Sequence, residues 1–235
     1  MSEEKFNVKP RETLEQIMQD INAALPLDGL LFELLSEGRM QALVDFLADY
    51  YFPDMPLSKS LGVVADDSLK EILKSRFSEH LSLILIDESS DEIIGIKTAL
   101  TLTRSVQLNT DEIKDETMKT IWKFIYQKHN EMNVFKRFDV NVAIKFPHLG
   151  VRPDFRERGL GFKLIEAALM FFSQFALEMP CITVEVSSGH AQRIFEKYGF
   201  ETIHTFLYAD YKENGEVVFK NMGENVSTKV YVKQL

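Results

Sequence analysis

Val151-Arg152-Pro153-Asp154-Phe155-Arg156-Glu157-Arg158-Gly159-Leu160-Gly161 is the stretch on which the reading of this chain turns. A β-type run over residues 139–151 leads into it. A helix-type run over 161–178 leaves it, with Leu164, Ile165, Ala168, Leu169 and Phe172 on one face. Arg-x-x-Gly-x-Gly at a strand-to-helix turn points successive backbone N–H groups into one concavity at a helix start. Unpaired donors and the helix dipole there favour a phosphate or pyrophosphate. Gly159 and Gly161 lack a Cβ and let the backbone come close, and Arg156 and Arg158 are placed to add charge-assisted bonds. The third glycine of a dinucleotide fingerprint is missing, as is the Gly-Lys-Ser/Thr of an ATP-binding loop. Coenzyme A, with a pyrophosphate, a 3′-phosphate and a long pantetheine arm, suits such a cradle.

Working outward, β-type and helix-type segments alternate. Residues 11–25 carry Leu14, Ile17, Met18, Ile21 and Leu25 at helical spacing, and Pro26-Leu27-Asp28-Gly29 breaks the run before a strand over 30–35. The spacing predicts a helix over 38–51 that ends before Pro53, a proline-containing loop over 52–57, and a helix over 66–80 capped by Asp66 or Asp67. Residues 81–87 and 92–103 read as strands joined by a polar turn, and 111–130 as a helix. Beyond the phosphate block come a strand over 182–186, a helix over 189–198 stopped by Gly199, a strand over 202–211, a small hairpin over 212–220 and a last strand over 226–233. This order predicts one α/β (α+β) architecture. Its sheet is mixed and mostly antiparallel, with one parallel step at the strand–helix–strand unit 139–186 and helices on both faces.

Composition narrows the partners. The chain has 235 residues, 45% of them hydrophobic, which is ample for one core. Its formal net charge of −9 argues against nucleic acid and mildly favours cationic small molecules. The single cysteine, Cys181, lies in an apolar run and reads as a buried structural thiol, so no disulfide framework is expected. No metal-ligand spacing stands out. The N-terminus has no apolar leader and no run is long enough to span a membrane, so the expected compartment is the cytoplasm and no membrane partner is expected.

The block at 151–161 resembles that of the GCN5-related N-acetyltransferase (GNAT) superfamily, backed by the strand–helix close that ends Ile194-Phe195-Glu196-Lys197-Tyr198-Gly199-Phe200. Within it the chain resembles the insect arylalkylamine, or dopamine-type, N-acetyltransferases. Phe52-Pro53-Asp54-Met55-Pro56-Leu57, Val186-Ser187-Ser188 and Tyr208-Ala209-Asp210-Tyr211-Lys212, running into Gly215-Glu216-Val217-Val218-Phe219-Lys220, carry that likeness. The resemblance covers residues 30–235 as the acetyltransferase domain and leaves 1–29 as an N-terminal helical extension. It implies a sheet splayed at the parallel strand pair, with acetyl-CoA as cosubstrate, a primary amine as acceptor, no metal, and a monomer. Carried over residue by residue, acyl-CoA would meet Leu149, Gly150 and Val151 on the strand and Arg156, Glu157, Arg158, Gly159, Leu160 and Gly161 in the cradle, with Ser187 and Ser188 at the opposite lip. Phe52, Met55, Ile121 and Trp122 would line an aryl-sized pocket, and Asp54 and Ser187 are the catalytic candidates.

The acid–base half of that pattern is altered. A protonated amine must lose a proton before it attacks a thioester, and the oxyanion needs donors, here strand N–H groups near 149–151. The family's loop reads Asp-Glu-Pro-Leu with the glutamate as base, whereas this chain has Met55. The family's second serine falls on Ala191, and the tyrosine acid of many superfamily members falls on Phe195. Three readings follow: a relocated base, with Asp54 first and Glu33, His148 or His190 behind it; water as the proton acceptor; or an acyl-CoA-binding protein of weak or absent activity.

Overall fold

The computed structural model describes residues 9–104, 112–176 and 179–235. In chain order its elements are α1 (Arg11–Ala24), β1 (Leu30–Leu34), α2 (Met40–Phe46), α3 (Pro56–Leu61), α4 (Asp67–Arg76), β2 (Leu83–Asp87), β3 (Glu92–Lys97), β4 (Leu100–Thr103), α5 (Glu116–Met132), α6 (Val134–Arg137), β5 (Val142–Lys145), β6 (Leu149–Val151), α7 (Leu160–Ser173), β7 (Cys181–Val186), α8 (Gly189–Lys197), β8 (Glu201–Leu207), β9 (Lys212–Glu213), β10 (Glu216–Val217) and β11 (Ser227–Gln234). A 3₁₀ turn over Glu37–Arg39 and a π-turn over Leu47–Tyr51 extend α2 at its two ends, filling the helix expected over 38–51.

Two expected long strands are each two strands. Residues 92–103 divide into β3 and β4, and 139–151 into β5 and β6. The breaks lie opposite each other: β3 pairs with β6, β4 pairs with β5, and both ladders are antiparallel. One sheet therefore runs β1-β2-β3-β6 and the other β4-β5-β7-β11-β8. The parallel step is the pair β5–β7, in register at Ile144↔Ile182 and Lys145↔Thr183 and prolonged by Phe146 N–H donating to the Thr183 carbonyl at 3.0 Å. The next N–H on that side belongs to His148, which donates to Thr98 Oγ1 at 3.0 Å instead of to β7, so the parallel ladder stops there. The chain then turns to β3, and β6 and β7 diverge into a wedge.

A buried polar knot holds the break. Thr98 N–H donates to the His148 carbonyl, His148 N–H donates to Thr98 Oγ1, and Thr98 Oγ1 meets His148 Nδ1, all at 3.0 Å. Lys97 Nζ donates to the Thr98 and His148 carbonyls at 3.0 and 2.9 Å and lies 4.1 Å from the Phe146 ring centroid. Lys97 thus gives the Thr98 carbonyl a donor, and Thr98 Oγ1 takes the His148 N–H that β7 does not.

Helices cover both faces. On one, α1 and α7 pack Leu14, Ile21, Phe171 and Phe172 against Phe32, Leu83 and Leu85. On the other, α2, α4 and α5 pack Leu43, Leu73 and Phe124 with Ile84, Ile86 and Ile96. The alternation of Leu83/Leu85 with Ile84/Ile86 along β2 sends successive side chains into the two cores. Cys181 lies in a smaller cluster with Val134 and Val232, and burial pushes its thiol up to about 11, consistent with a structural role.

Other boundaries shift for local reasons. The expected loop over 52–57 closes into α3 because Pro56 presets φ at the first helical position. The helix expected from 111 starts at Glu116, capped by Asp115 accepting from Met118 N–H at 2.6 Å, and residue 111 lies outside the described residues. The helix expected to 178 ends at Ser173, and residues 177–178 lie outside the described residues. The strand expected to 211 stops at Leu207, where a 3₁₀ turn over Tyr208–Asp210 begins.

The N-terminal helix shares the main core. Besides its apolar stripe, Asn22 pairs with the exposed edge of β1: its Nδ2 donates to the Phe32 carbonyl at 2.8 Å, and its Oδ1 accepts Phe32 N–H at 2.9 Å. That covers a strand edge which would otherwise invite pairing with another chain. Asn22→Ala leaves both Phe32 groups unpaired and is expected to cost about 1–3 kcal/mol of unfolding free energy. Urea denaturation measures it, and an unchanged midpoint would show that the helix contributes through its apolar face alone.

Candidate active site

The cradle is built at the start of α7. Glu157 (φ 63°) and Gly159 (φ 73°) both take left-handed backbone, which curls the amides of residues 157–161 toward one side. Among the described residues these five amides find no backbone acceptor in the loop and cap hydrogen bonds. Side chains cap α4, α5 and α8 through Asp66, Asp115 and Ser188, whereas α7 has no side-chain cap. Its N-terminal donors are left for an outside anion. The two glycines differ in purpose. Gly159 is needed for its positive φ, while a Cβ on Gly161 would sit 3.1 Å from Ile194 Cδ1, so Gly161 serves the close packing of α7 on α8.

The arginines divide similarly. Arg156 donates through Nε to the Val151 carbonyl at 3.0 Å and pairs with Asp54 at 2.5 Å, tying the cradle to the loop before α3. Arg158 is exposed, its guanidinium 4.7 Å from the Phe155 ring centroid and bonded to the Asp154 carbonyl at a long 3.4 Å. It does not line the cleft that opens from the cradle.

A cleft of about 750 Å³ runs from this cradle into the wedge between β6 and β7. Leu149, Gly150, Val151, Arg156, Glu157, Gly159, Leu160 and Gly161 form one wall, and Ser187, Ser188 and His190 stand on the other. Thr98 N–H bonds to His148 O and Arg152 N–H to Ile94 O, at 3.0 and 2.8 Å. In an antiparallel ladder bonded and non-bonded pairs alternate, so Leu149 and Val151 turn their backbone N–H groups away from β3 and into the wedge. An extended acyl-pantetheine arm needs such donors, and so does a thioester oxyanion.

A second cavity of about 1050 Å³ opens on the other side of the wedge, among α4, α5, β4 and the loop before α3. Phe52 and Trp122 line it, as does Ile121. Tyr51, Met55, Pro147, Glu185 and Ser187 line both spaces, so the cleft and the cavity meet at these residues. Met55 stands at that junction, and so does a carboxylate, Glu185, that the sequence reading passed over.

Glu185 lies on β7 with its side chain 2% exposed. Its Oε1 meets His129 Nδ1 at 2.7 Å, and its Oε2 pairs with Lys145 Nζ; Lys145 Nζ and His129 Nδ1 are 3.4 Å apart. The parallel register sets Lys145 level with Thr183, so Lys145, Thr183 and Glu185 leave the sheet on one face, and His129 reaches them from the last turn of α5. Burial draws the Lys145 ammonium down to about 7, and burial with the Lys145 charge beside it holds the His129 ring far below its usual range, hence neutral. The strand sequence held the signal: Glu185 interrupts an otherwise apolar strand, where a carboxylate needs a partner.

The other candidates lie as follows. Asp54 lines the cleft and is absent from the lining of the second cavity. Burial works to raise its carboxyl, but hydrogen bonds and charge from Lys59 and Arg156 outweigh that and hold it below the usual carboxylate range. A carboxylate fixed by two cations is a poor proton acceptor and a good latch. Ser188 caps α8, its Oγ accepting from Ala191 N–H at 3.5 Å. The Ser187 carbonyl is anchored by Tyr208 Oη at 3.1 Å, and Tyr208, Tyr211 and Phe219 pack on Phe124 of α5. The tail block thus buttresses the junction from behind. His148 lines the second cavity while Leu149 lines the cleft, the opposite facing that alternation implies. Burial, with the charges of Lys97 and Arg76, brings His148 down to about 3. Glu33 is 3.5 Å from Arg39 and lines neither space. Phe195 lies stacked on Tyr231 with its centroid 6.2 Å away. Among the described residues no group of three or more His, Cys, Asp or Glu is placed to hold a metal, and no helix is long and apolar enough to cross a membrane.

Comparison with known proteins places this geometry. The family model for an acetyltransferase (GNAT) domain matches residues 63–215. The crystal structure of arylalkylamine N-acetyltransferase 2 from Aedes aegypti is similar with a TM-score of 0.77 at 26% identity, over 87% of this chain and 98% of that one. A polyamine N-acetyltransferase of Drosophila melanogaster, which catalyses formation of N-acetylagmatine, has a TM-score of 0.73 at 21% identity over 88% of this chain and all (100%) of that one. An agmatine N-acetyltransferase mutant reaches 0.77 at 22% identity, covering 88% of this chain and 100% of that one. The last two likenesses show the fold.

Proposed function

Because the chain belongs to the GNAT acetyltransferase family, we propose that it transfers an acetyl group from acetyl-CoA directly to a primary amine, with the proton acceptor relocated from the loop before α3 to the Lys145–Glu185 pair of β5 and β7. The observation that carries this reading is the meeting of two spaces at Tyr51, Met55, Pro147, Glu185 and Ser187. One space leads from an uncapped helix N-terminus and the other is lined by aromatic and aliphatic side chains.

The residues divide the work by position. The amides of 157–161 and the Arg158 guanidinium take the phosphates, and the N–H groups of Leu149 and Val151 hold the arm and the thioester oxygen. The amine nitrogen attacks the carbonyl carbon, the new C–N bond forms, the C–S bond breaks, and the amine proton passes to the Lys145–Glu185 pair. A neutral lysine beside an ionised carboxylate is the form able to accept that proton, and burial brings Lys145 to about 7, where such a form exists near neutral pH. Tyr51, whose phenol burial pushes up so that it stays protonated, supplies the hydroxyl facing the departing thiolate, with Ser187 beside it. Asp54 holds Arg156 and shapes the loop.

The cavity favours an arylalkylamine over a polyamine. Phe52, Phe77, Trp122 and Tyr126 give flat apolar walls. Its charged lining is Arg76, Arg104, Lys136 and Lys145 against Glu79, Glu112 and Glu185, which is no acidic trap for a polycation. The replacements at Met55, Ala191 and Phe195 support a second reading, an acyl-CoA-binding protein without turnover.

A thiol-release assay with acetyl-CoA across arylalkylamines, polyamines and agmatine separates the two. Turnover is expected with an aryl amine, whereas thermal stabilisation by acetyl-CoA without release from any amine would select the binding protein. Glu185→Gln is expected to lower kcat by about 10²–10⁴-fold while leaving acetyl-CoA affinity unchanged. A kcat unaffected by that change would remove Glu185 from the mechanism. The kcat of the native protein should rise with pH through about 7, since deprotonation of Lys145 creates the acceptor form, and that limb should vanish in Lys145→Met. Arg158→Ala should weaken acetyl-CoA about tenfold, as expected for loss of one charge-assisted contact, read by isothermal titration.

A further inference from the structure

The wall of the second cavity carries a cation that the transfer chemistry does not use. Arg76, at the C-terminus of α4, sets its guanidinium 4.1 Å from the ring centroid of Trp122 on α5. Among the described residues the group has no hydrogen-bond partner, and the one charge that supports it is Glu112, acting through space from the same cavity wall. Four other arginines of the molecule are tied down: Arg39 to Asp91, Arg152 to Glu92 and Asp154, Arg156 to Asp54, and Arg104 to the Val140 and Phe135 carbonyls. Burial lowers Arg76 to about 10, which leaves it charged at neutral pH.

A guanidinium is a flat fork of five N–H donors, and stacking on an indole leaves its edge free to meet a planar pair of oxygens. Partial burial has stripped water from it without supplying an acceptor, an arrangement that disfavours the empty site and favours an incoming anion. The size of the charge matters too. One guanidinium matches a monoanion, and the neighbouring Glu79 and Glu112 would repel a dianion such as a phosphate monoester. Arg76 is also within electrostatic reach of His148, whose ring lies 4.8 Å from that of Tyr51 at the junction. An anion on Arg76 and an amine at Glu185 therefore occupy one continuous space.

We propose that Arg76 is a carboxylate-recognition site, so that this protein prefers an acceptor amine carrying an acid group, an amino acid or a carboxylated arylalkylamine, over the parent amine that lacks it. The inference rests on the reading of this cavity as the acceptor site.

Matched pairs that differ by the carboxylate test it: tyrosine against tyramine, with the acid beside the amine, and 4-(aminomethyl)benzoate against benzylamine, with the acid remote. Each is titrated calorimetrically into the protein saturated with CoA, in parallel with Arg76→Gln and Arg76→Lys. Thermal melts establish that both variants are folded, and the charge-conserving lysine serves as the internal control if the glutamine variant is not. At least one acid should bind ten or more times more tightly than its parent amine. Arg76→Gln should abolish the difference, and Arg76→Lys should keep part of it. The proposal is overturned if neither acid is preferred, or if the preference is the same in both variants as in the native protein. Acetyl-transfer assays run beside the titrations keep the two claims apart. A carboxylate preference in binding with no transfer to any amine removes the acetyltransferase reading alone, whereas transfer to amines indifferent to the acid removes the role of Arg76 alone.

Discussion

A missing hydrogen bond organises this molecule. Beyond Phe146 the next donor due to β7 is His148 N–H, which turns to Thr98 Oγ1 instead, so the parallel ladder between β5 and β7 ends and the chain pairs with β3. Everything at the site follows from that departure. The wedge between β6 and β7 is the cleft. The unpaired N–H groups of Leu149 and Val151 face into it, and the uncapped start of α7 closes its outer end. A sheet cannot be opened without stranding polar backbone groups, and the cost is met locally by the side chains of Lys97, on the Thr98 carbonyl, and of Thr98, on the His148 N–H. Lys97 is fully buried, and burial draws its ammonium well down from its ordinary value. Its position is understandable as the donor that the break requires.

The same break explains what the sequence could and could not reveal. The Arg-x-x-Gly-x-Gly block is local, so its residues announce both the turn and the uncapped helix start that follows it. The amphipathic stripes of α1, α4 and α7 were equally legible because their burial depends on spacing alone. The divisions of 92–103 and 139–151 into paired halves were not, since each half keeps an acceptable strand pattern and the interruption exists only where two strands face each other. The role of Gly161 was likewise hidden: its contact is with Ile194 of α8, more than thirty residues away in sequence.

The reacting groups show that limit most clearly. Asp54 lies beside Met55 in sequence and was the natural substitute for a missing glutamate, yet two cations hold it in its charged form on the cleft side. Glu185, Lys145 and His129 come from β7, β5 and α5, and only the parallel register and the docking of α5 bring them together. An acidic residue interrupting an apolar strand was the available clue, and its meaning required the partners. The site thus holds a carboxylate where the two spaces meet. The tail block, which carried the resemblance to the insect enzymes, supports this arrangement by anchoring Ser187 and packing on α5.

The central claim is that the wedge between β6 and β7 delivers a coenzyme A thiol to Glu185. A crystal structure of the protein with CoA bound tests it most directly. The account predicts the pyrophosphate against the amides of residues 157–161, the pantetheine arm paired with Leu149 and Val151, and the sulfur among Tyr51, Met55, Glu185 and Ser187. Coenzyme A bound outside the wedge, or lying in it with its sulfur away from Glu185, would contradict it.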